Sequence, residues 1–152
     1  MAQSEQAVSS ATASQPSAAA QHAGDAAQSN VVAERTQAIQ KARTICIHSE
    51  TIFLTVSTLE RALMKEKNWD RLGLNILGQE CSADLQIDVD RLHFTHIHTY
   101  VVTDKRTGIV LVAGRVRAFD GVVASGPMAE QIVKVLAAAR LAGQGSKGES
   151  GF

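Results

Sequence analysis

Residues 83–118 read ADLQIDVDRLHFTHIHTYVVTDKRTGIVLVAGRVRA, three runs rich in β-branched residues separated by short polar turns. Leu85, Ile87 and Val89 alternate with Gln86, Asp88 and Asp90, the two-residue period of a strand with one buried face. A turn near Arg91 leads to the second run, Phe94 to Thr103, and Asp104-Lys105-Arg106-Thr107-Gly108 leads to the third, Ile109 to Ala118. That second loop carries the glycine a hairpin uses where its backbone must visit positive φ. The expectation is a three-stranded antiparallel meander.

Upstream of the meander, Thr44 to His48 is a β-branched run that predicts a first strand. Val56, Leu59, Ala62 and Leu63 then recur at helical spacing, predicting a helix from Val56 to about Lys67. Ser57 and Glu60 have the form of a capping box, with Thr55 as a competing cap. Gly73 breaks the pattern, and Leu74 to Leu77 reads as a short second strand. Downstream, Ser125-Gly126-Pro127 signals a helix start, with proline at the first helical position. Met128, Ile132, Val133 and Leu136 form its apolar stripe, and Gly143 stops it. Val31 to Ala42 is a short lead-in helix. The fold class expected is therefore α+β, a mixed, largely antiparallel sheet in the order β-α-β-β-β-β-α with two helices on one face. Residues 1–30, rich in alanine, serine and glutamine, read as a disordered tail, residues 31–142 as one domain, and 143–152 as a flexible end.

Register decides where the histidines go. A three-residue turn at Arg91 to His93 sets Ile87 opposite Ile97 and buries Thr95, Ile97, Thr99 and Val101. On the outer face Asp88 then lies opposite His96, Asp90 opposite Phe94 and Gln86 opposite His98. A four-residue turn at Asp104 to Thr107 puts Val110, Val112 and Val116 inside, with Arg115 and Arg117 flanking His96 and Phe94. Tyr100 and Leu111 share that outer side. Asp88, Phe94, His96, His98, Tyr100, Arg115 and Arg117 thus form an expected interaction face, since aromatic residues with arginine are enriched where proteins meet. His96 and His98, two apart on a strand, could instead offer two imidazoles to a metal, although a site needs further ligands and the arginines repel a cation.

Composition narrows the function classes. Lysine plus arginine and aspartate plus glutamate both number 15, so the balanced charge disfavours a counterion-releasing grip on nucleic acid and a polybasic membrane anchor. No run of about 20 apolar residues stands out as a membrane span. Met1-Ala2-Gln3 resembles the end of an export cleavage site, so the expectation is a natural start upstream and a chain in the periplasm or outside the cell; a native start at Met1 would instead leave it in the cytoplasm. Cys46 and Cys81 lack C-x-x-C spacing and read as two separate buried thiols rather than a bridge. The sequence carries no G-x-S-x-G, P-loop, G-x-G-x-x-G or H-E-x-x-H. Cys46 with His48 lacks an oxyanion donor, and Trp69 and Phe53 read as core or core-edge residues. No cofactor and no enzymatic residue are expected.

Ala83-Asp84-Leu85-Gln86-Ile87-Asp88-Val89 followed by Val102-Thr103-Asp104-Lys105-Arg106-Thr107-Gly108-Ile109-Val110-Leu111 resembles a pattern of small exported bacterial proteins. In these an Ala-Asp-apolar strand opens a meander and a Thr-Asp-x-x-Thr-Gly turn joins the next two strands. Over about residues 43 to 140 the chain resembles acidobacterial hypothetical proteins of this size. More distantly it is similar to the α+β module of the curli secretion-channel lipoprotein, the N-terminal domain of the Tol-Pal propeller protein, and outer-membrane activators of peptidoglycan synthases. The resemblance implies a non-catalytic module of the cell envelope that binds other proteins, with no active-site residue to carry over. The chain departs from the lipoprotein members in having no lipidated cysteine at its start.

Overall fold

The computed structural model describes the backbone of residues 18–78 and 82–145. The expectations for the rest of the tail, for the region of Cys81 and for residues 146–152 lie outside the described residues; the last helix runs through Gly143 to Gly145, where Gly143 was expected to stop it and to begin a flexible end. In chain order the elements are α1 (Ala18–Lys41), β1 (Thr44–Ser49), α2 (Val56–Lys65), α3 (Trp69–Leu72), β2 (Asn75–Leu77), β3 (Leu85–Arg91), β4 (Ile97–Asp104), β5 (Val110–Arg117) and α4 (Gly121–Gly145). They build an α+β domain with a five-stranded mixed sheet in the spatial order β2-β1-β3-β4-β5. β1 pairs in parallel with β2 and β3, and β3-β4-β5 is the antiparallel meander.

One face of the sheet carries the core. Ile45 and Ile47 of β1, Leu85, Ile87 and Val89 of β3, Tyr100 and Val102 of β4, and Val112 and Val116 of β5 are buried with Leu59 and Leu63 of α2. The expected stripe of α4, Met128, Ile132, Val133 and Leu136, closes the layer. Each such aliphatic side chain removed from water contributes about 1.5–3 kcal/mol. Trp69 and Leu72 of α3 are buried in the same core, where α3 packs against α2 and α4, and Gly73 ends that helix in the left-handed conformation at φ 56°.

Two polar clips fix the strand ends opposite the β3–β4 loop. The Asp84 carboxylate accepts hydrogen bonds from the backbone N–H groups of Arg43 (2.7 Å) and Thr44 (3.0 Å) and from the Thr44 hydroxyl (3.0 Å). The Asp84 N–H returns a bond to that hydroxyl, so the starts of β1 and β3 hold each other. In the β4–β5 turn, Asp104 accepts from the Arg106 N–H and the Thr107 hydroxyl, both at 2.9 Å, and Gly108 stands at φ 73°. The Thr-Asp-x-x-Thr-Gly motif is therefore a self-bonded turn that tolerates no β-carbon strain at its last position.

Helix boundaries differ from expectation for local reasons. α4 starts at Gly121 rather than at Pro127, because the Asp120 carboxylate caps the Val123 N–H at 2.8 Å. Pro127 therefore lies inside the helix. Over Gly121–Gln144, α4 is long and apolar enough by length and composition to cross a membrane, with mean hydropathy 1.2, where no such stretch was expected. Its stripe is spent on the sheet, which is what a core helix does with the same composition. At α2 the cap position is Thr55, with no side-chain capping bond, in place of the Ser57 capping box. α1 begins at Ala18, so residues 18–30 are helical. Its last turns and the residue that follows meet the core, through Ile39 and Ala42, and through bonds from Gln40 to the Ala139 carbonyl and from Arg140 to the Ala42 carbonyl.

Cys46 is disulfide-bonded, which replaces the expectation of a free buried thiol at that position. Cys81 is outside the described residues.

Candidate interaction surface

The meander register departs from the expected one by its parity. β3 continues to Arg91, which pairs with His98, and Ile87 lies opposite Val102 rather than Ile97. The connecting loop is Leu92 to His96, longer than the expected turn, and it reverses on Phe94 at φ 60°. Six residues, Leu92 to Ile97, separate the paired Arg91 and His98 where three were expected, and this odd difference turns every β4 side chain over. His98, Tyr100, Val102 and Asp104 therefore point into the domain, while Ile97, Thr99, Val101 and Thr103 lie half-buried on the uncovered face. A register shift between Val102 and Thr103 leaves Val110 exposed and buries Leu111 together with Val112, again unlike the expectation.

This scatters the expected interaction face. Asp88, Arg115 and Arg117 remain on the open side of the sheet. There Asp88 accepts a bond from Gln86 Nε2 at 2.6 Å and stands 3.4 Å from His48 Nδ1. Tyr100 lies under α4, its hydroxyl donating to Gln131 Oε1 at 3.0 Å, and its ring fills the space left by Gly114. Phe94 and His96 belong to the β3–β4 loop. His98 is completely buried, and neither ring nitrogen has a hydrogen-bond partner of ordinary geometry. Burial pushes its pKa down, Arg91 adds to that, and the Ala118 backbone and Asp120 oppose them. His96 packs its exposed ring against Phe119 at 4.7 Å between centroids, so His96 and His98 do not present a matched pair of ligands. Among the described residues no group of three or more metal-ligating side chains comes together.

What the fold does assemble lies at the end of the sheet where β1, β3 and β5 terminate. The β1–α2 loop brings Ile52 and Phe53, the β3–β4 loop Leu92 and Phe94, and the β5–α4 connection Phe119, all exposed. Val122 and Val123 in the first turn of α4 extend the same apolar end. The guanidinium of Arg91 lies 4.0 Å over the Phe53 ring and its Nε donates to the Thr95 carbonyl at 2.9 Å, which ties two of the loops together. Between those loops is an open cleft of about 480 Å³, with Glu50 and Asp90 on its polar side. Phe53, expected at the core edge, is instead half-exposed in this cluster. Gly121 anchors the connection, since a β-carbon there would collide with the backbone of Phe53 and Leu54.

The signal for this end was present in the chain as large apolar residues outside any periodic run: Ile52-Phe53, Leu92 and Phe119 sit in connections, where turn chemistry favours polar residues, while Phe94 was read as the start of the second strand. Their convergence depends on strand order, which a single sequence does not display.

No family model matches the chain, and no curated protein matches it. Among solved structures it is similar to a candidate lipoprotein from Caulobacter crescentus, with a TM-score of 0.36 and 15% sequence identity over 73% of this chain and 97% of that one.

Proposed function

We propose that this protein is a non-enzymatic, exported domain of the bacterial cell envelope that binds another protein through the apolar loop end of its sheet. The observation that carries this is the convergence of Ile52, Phe53, Leu92, Phe94 and Phe119 from three separate connections, all left in water. Contiguous exposed apolar groups cost solubility and mark contact surfaces, whereas isolated ones need no explanation. Phe94 supports the reading further. A non-glycine residue at φ 60° is conformationally costly, and here the strain holds a phenyl ring fully exposed at the loop tip. The Arg91–Phe53 stack supplies the arginine and aromatic pairing common in binding hot spots. Export is supported by the disulfide at Cys46, a bond that persists in oxidising compartments.

The test is capture from the native organism with the parent and a Phe94→Ser, Phe119→Ser double variant, read by mass spectrometry. Both rings are exposed, so the variant keeps the parent melting temperature to within a few degrees and loses the captured protein. Identical captures with both proteins remove the loop end from consideration.

A further inference from the structure

The sheet has two edges of unequal character. β2 spans only Asn75–Leu77, and such short edges offer little to pair with. β5 is the other edge, eight residues long, with neither proline nor lysine in Val110–Arg117. α1 approaches this side low down, where Glu34, Gln37 and Ala38 line a groove with Ile109. Higher up, the register fixes which backbone groups are free. The Ala118 N–H bonds to the His96 carbonyl at 2.9 Å, so that pair is a hydrogen-bonded one. Alternation along an antiparallel ladder then directs Val116, Gly114 and Val112 toward β4 and turns the N–H and C=O groups of Ala113, Arg115 and Arg117 outward. None of these three residues has a backbone bond beyond the sheet among the described residues.

The side chains of Arg115 and Arg117 stand two apart on the open face beside that free edge, both exposed and without an ion-pair partner among the described residues. Arg115 shares a row with Thr99 and Asp90, so Thr99 separates it from the carboxylate. Two guanidinium groups with an unoccupied backbone ladder next to them specify the chemistry of what would complete the sheet.

We propose that β5 is a strand-addition site for an extended, acidic segment of a partner protein. The segment's main chain continues the ladder at Ala113, Arg115 and Arg117, and acidic side chains at alternate positions lie opposite Arg115 and Arg117. This surface is separate from the loop end and stands or falls without it.

The probe is a short synthetic peptide alternating glutamate with threonine, compared with the same peptide carrying lysine for glutamate. Each is titrated into the full chain while backbone amide exchange is followed residue by residue. The acidic peptide slows exchange at Ala113, Arg115 and Arg117, and Arg115→Glu with Arg117→Glu weakens its binding about tenfold or more. The Phe94→Ser, Phe119→Ser variant binds it as the parent does, which separates this site from the loop end. The proposal is overturned by no binding at millimolar peptide, by equal binding of the lysine peptide, or by binding that leaves those three amides unprotected. Protection that rises with protein concentration in the absence of peptide also overturns it, since a second copy would then hold the edge.

Discussion

Replacing His98 with leucine is expected to stabilise the protein, although it deletes a buried polar residue. The imidazole is completely buried on the helix-covered face, in register with Arg91 of β3 and Val116 of β5, and neither nitrogen has a hydrogen-bond partner of ordinary geometry, the Ala118 backbone offering at most a poorly aligned one. Leaving a buried donor or acceptor unpaired costs about 1–3 kcal/mol, whereas a side chain of similar size without polar atoms incurs no such cost. His98→Leu should therefore raise the unfolding free energy at pH 7.5 by about 1–2 kcal/mol. The pH dependence has a definite sign. Burial, followed by Arg91, lowers the folded-state pKa below the usual 6.5, so the unfolded chain takes up the proton first as the solution is acidified. The parent therefore carries no titration loss from His98 above pH 6.5 and loses stability below it, by at most about 1.4 kcal/mol per pH unit down to the folded-state pKa, so the advantage of the leucine variant grows on acidification. Urea unfolding of parent and variant at pH 7.5 and 5.5 measures both quantities. A leucine variant less stable than the parent by more than about 1 kcal/mol at pH 7.5 would refute the account of unpaired nitrogens. Equal losses in parent and variant between the two pH values would refute the assignment of the titration to His98.

Other perturbations test the joints of the fold. Asp84→Ala removes the acceptor shared by Arg43 and Thr44 and should cost about 1–2 kcal/mol in urea unfolding. The hydrogen bond from the Arg43 backbone leads the causes that hold the Asp84 carboxyl below its ordinary 3.8, so this contribution is present above pH 4 and lost as the solution is acidified further. Gly114→Ala sets a methyl group against the Tyr100 ring and should destabilise by about 1–3 kcal/mol, and Tyr100→Ala in the same chain should recover part of the loss in a double-mutant cycle. Reduction with dithiothreitol should lower stability by about 2–4 kcal/mol, and a Cys46→Ala variant should no longer respond to the reductant. Leu136→Ala, at a completely buried position of α4, should cost about 2–5 kcal/mol by thermal or chemical unfolding.

Order and kind of the elements were legible wherever one period dominated. Leu85, Ile87 and Val89 face the core as their alternation required, and Met128, Ile132, Val133 and Leu136 line α4 at helical spacing. The turn from Asp104 to Gly108 was also readable, because its bonds are local and its glycine is needed for a positive φ. β4 was different. Its two faces, Ile97-Thr99-Val101 and His98-Tyr100-Val102, are similarly apolar, so a two-residue period does not say which is inside. Tertiary structure decided it: Gly114 on β5 leaves room for the Tyr100 ring, and Gln131 on α4 meets its hydroxyl, so burying the even-numbered face is the arrangement that packs. The loop from Leu92 to His96 takes up the extra length, with Phe94 in the left-handed conformation. The candidate surface follows the same division. Asp88, Arg115 and Arg117 keep to the open face through local alternation, while the meeting of Phe53, Phe94 and Phe119 at one end depends on β1, β3 and β5 finishing together, a consequence of strand order that no local pattern encodes.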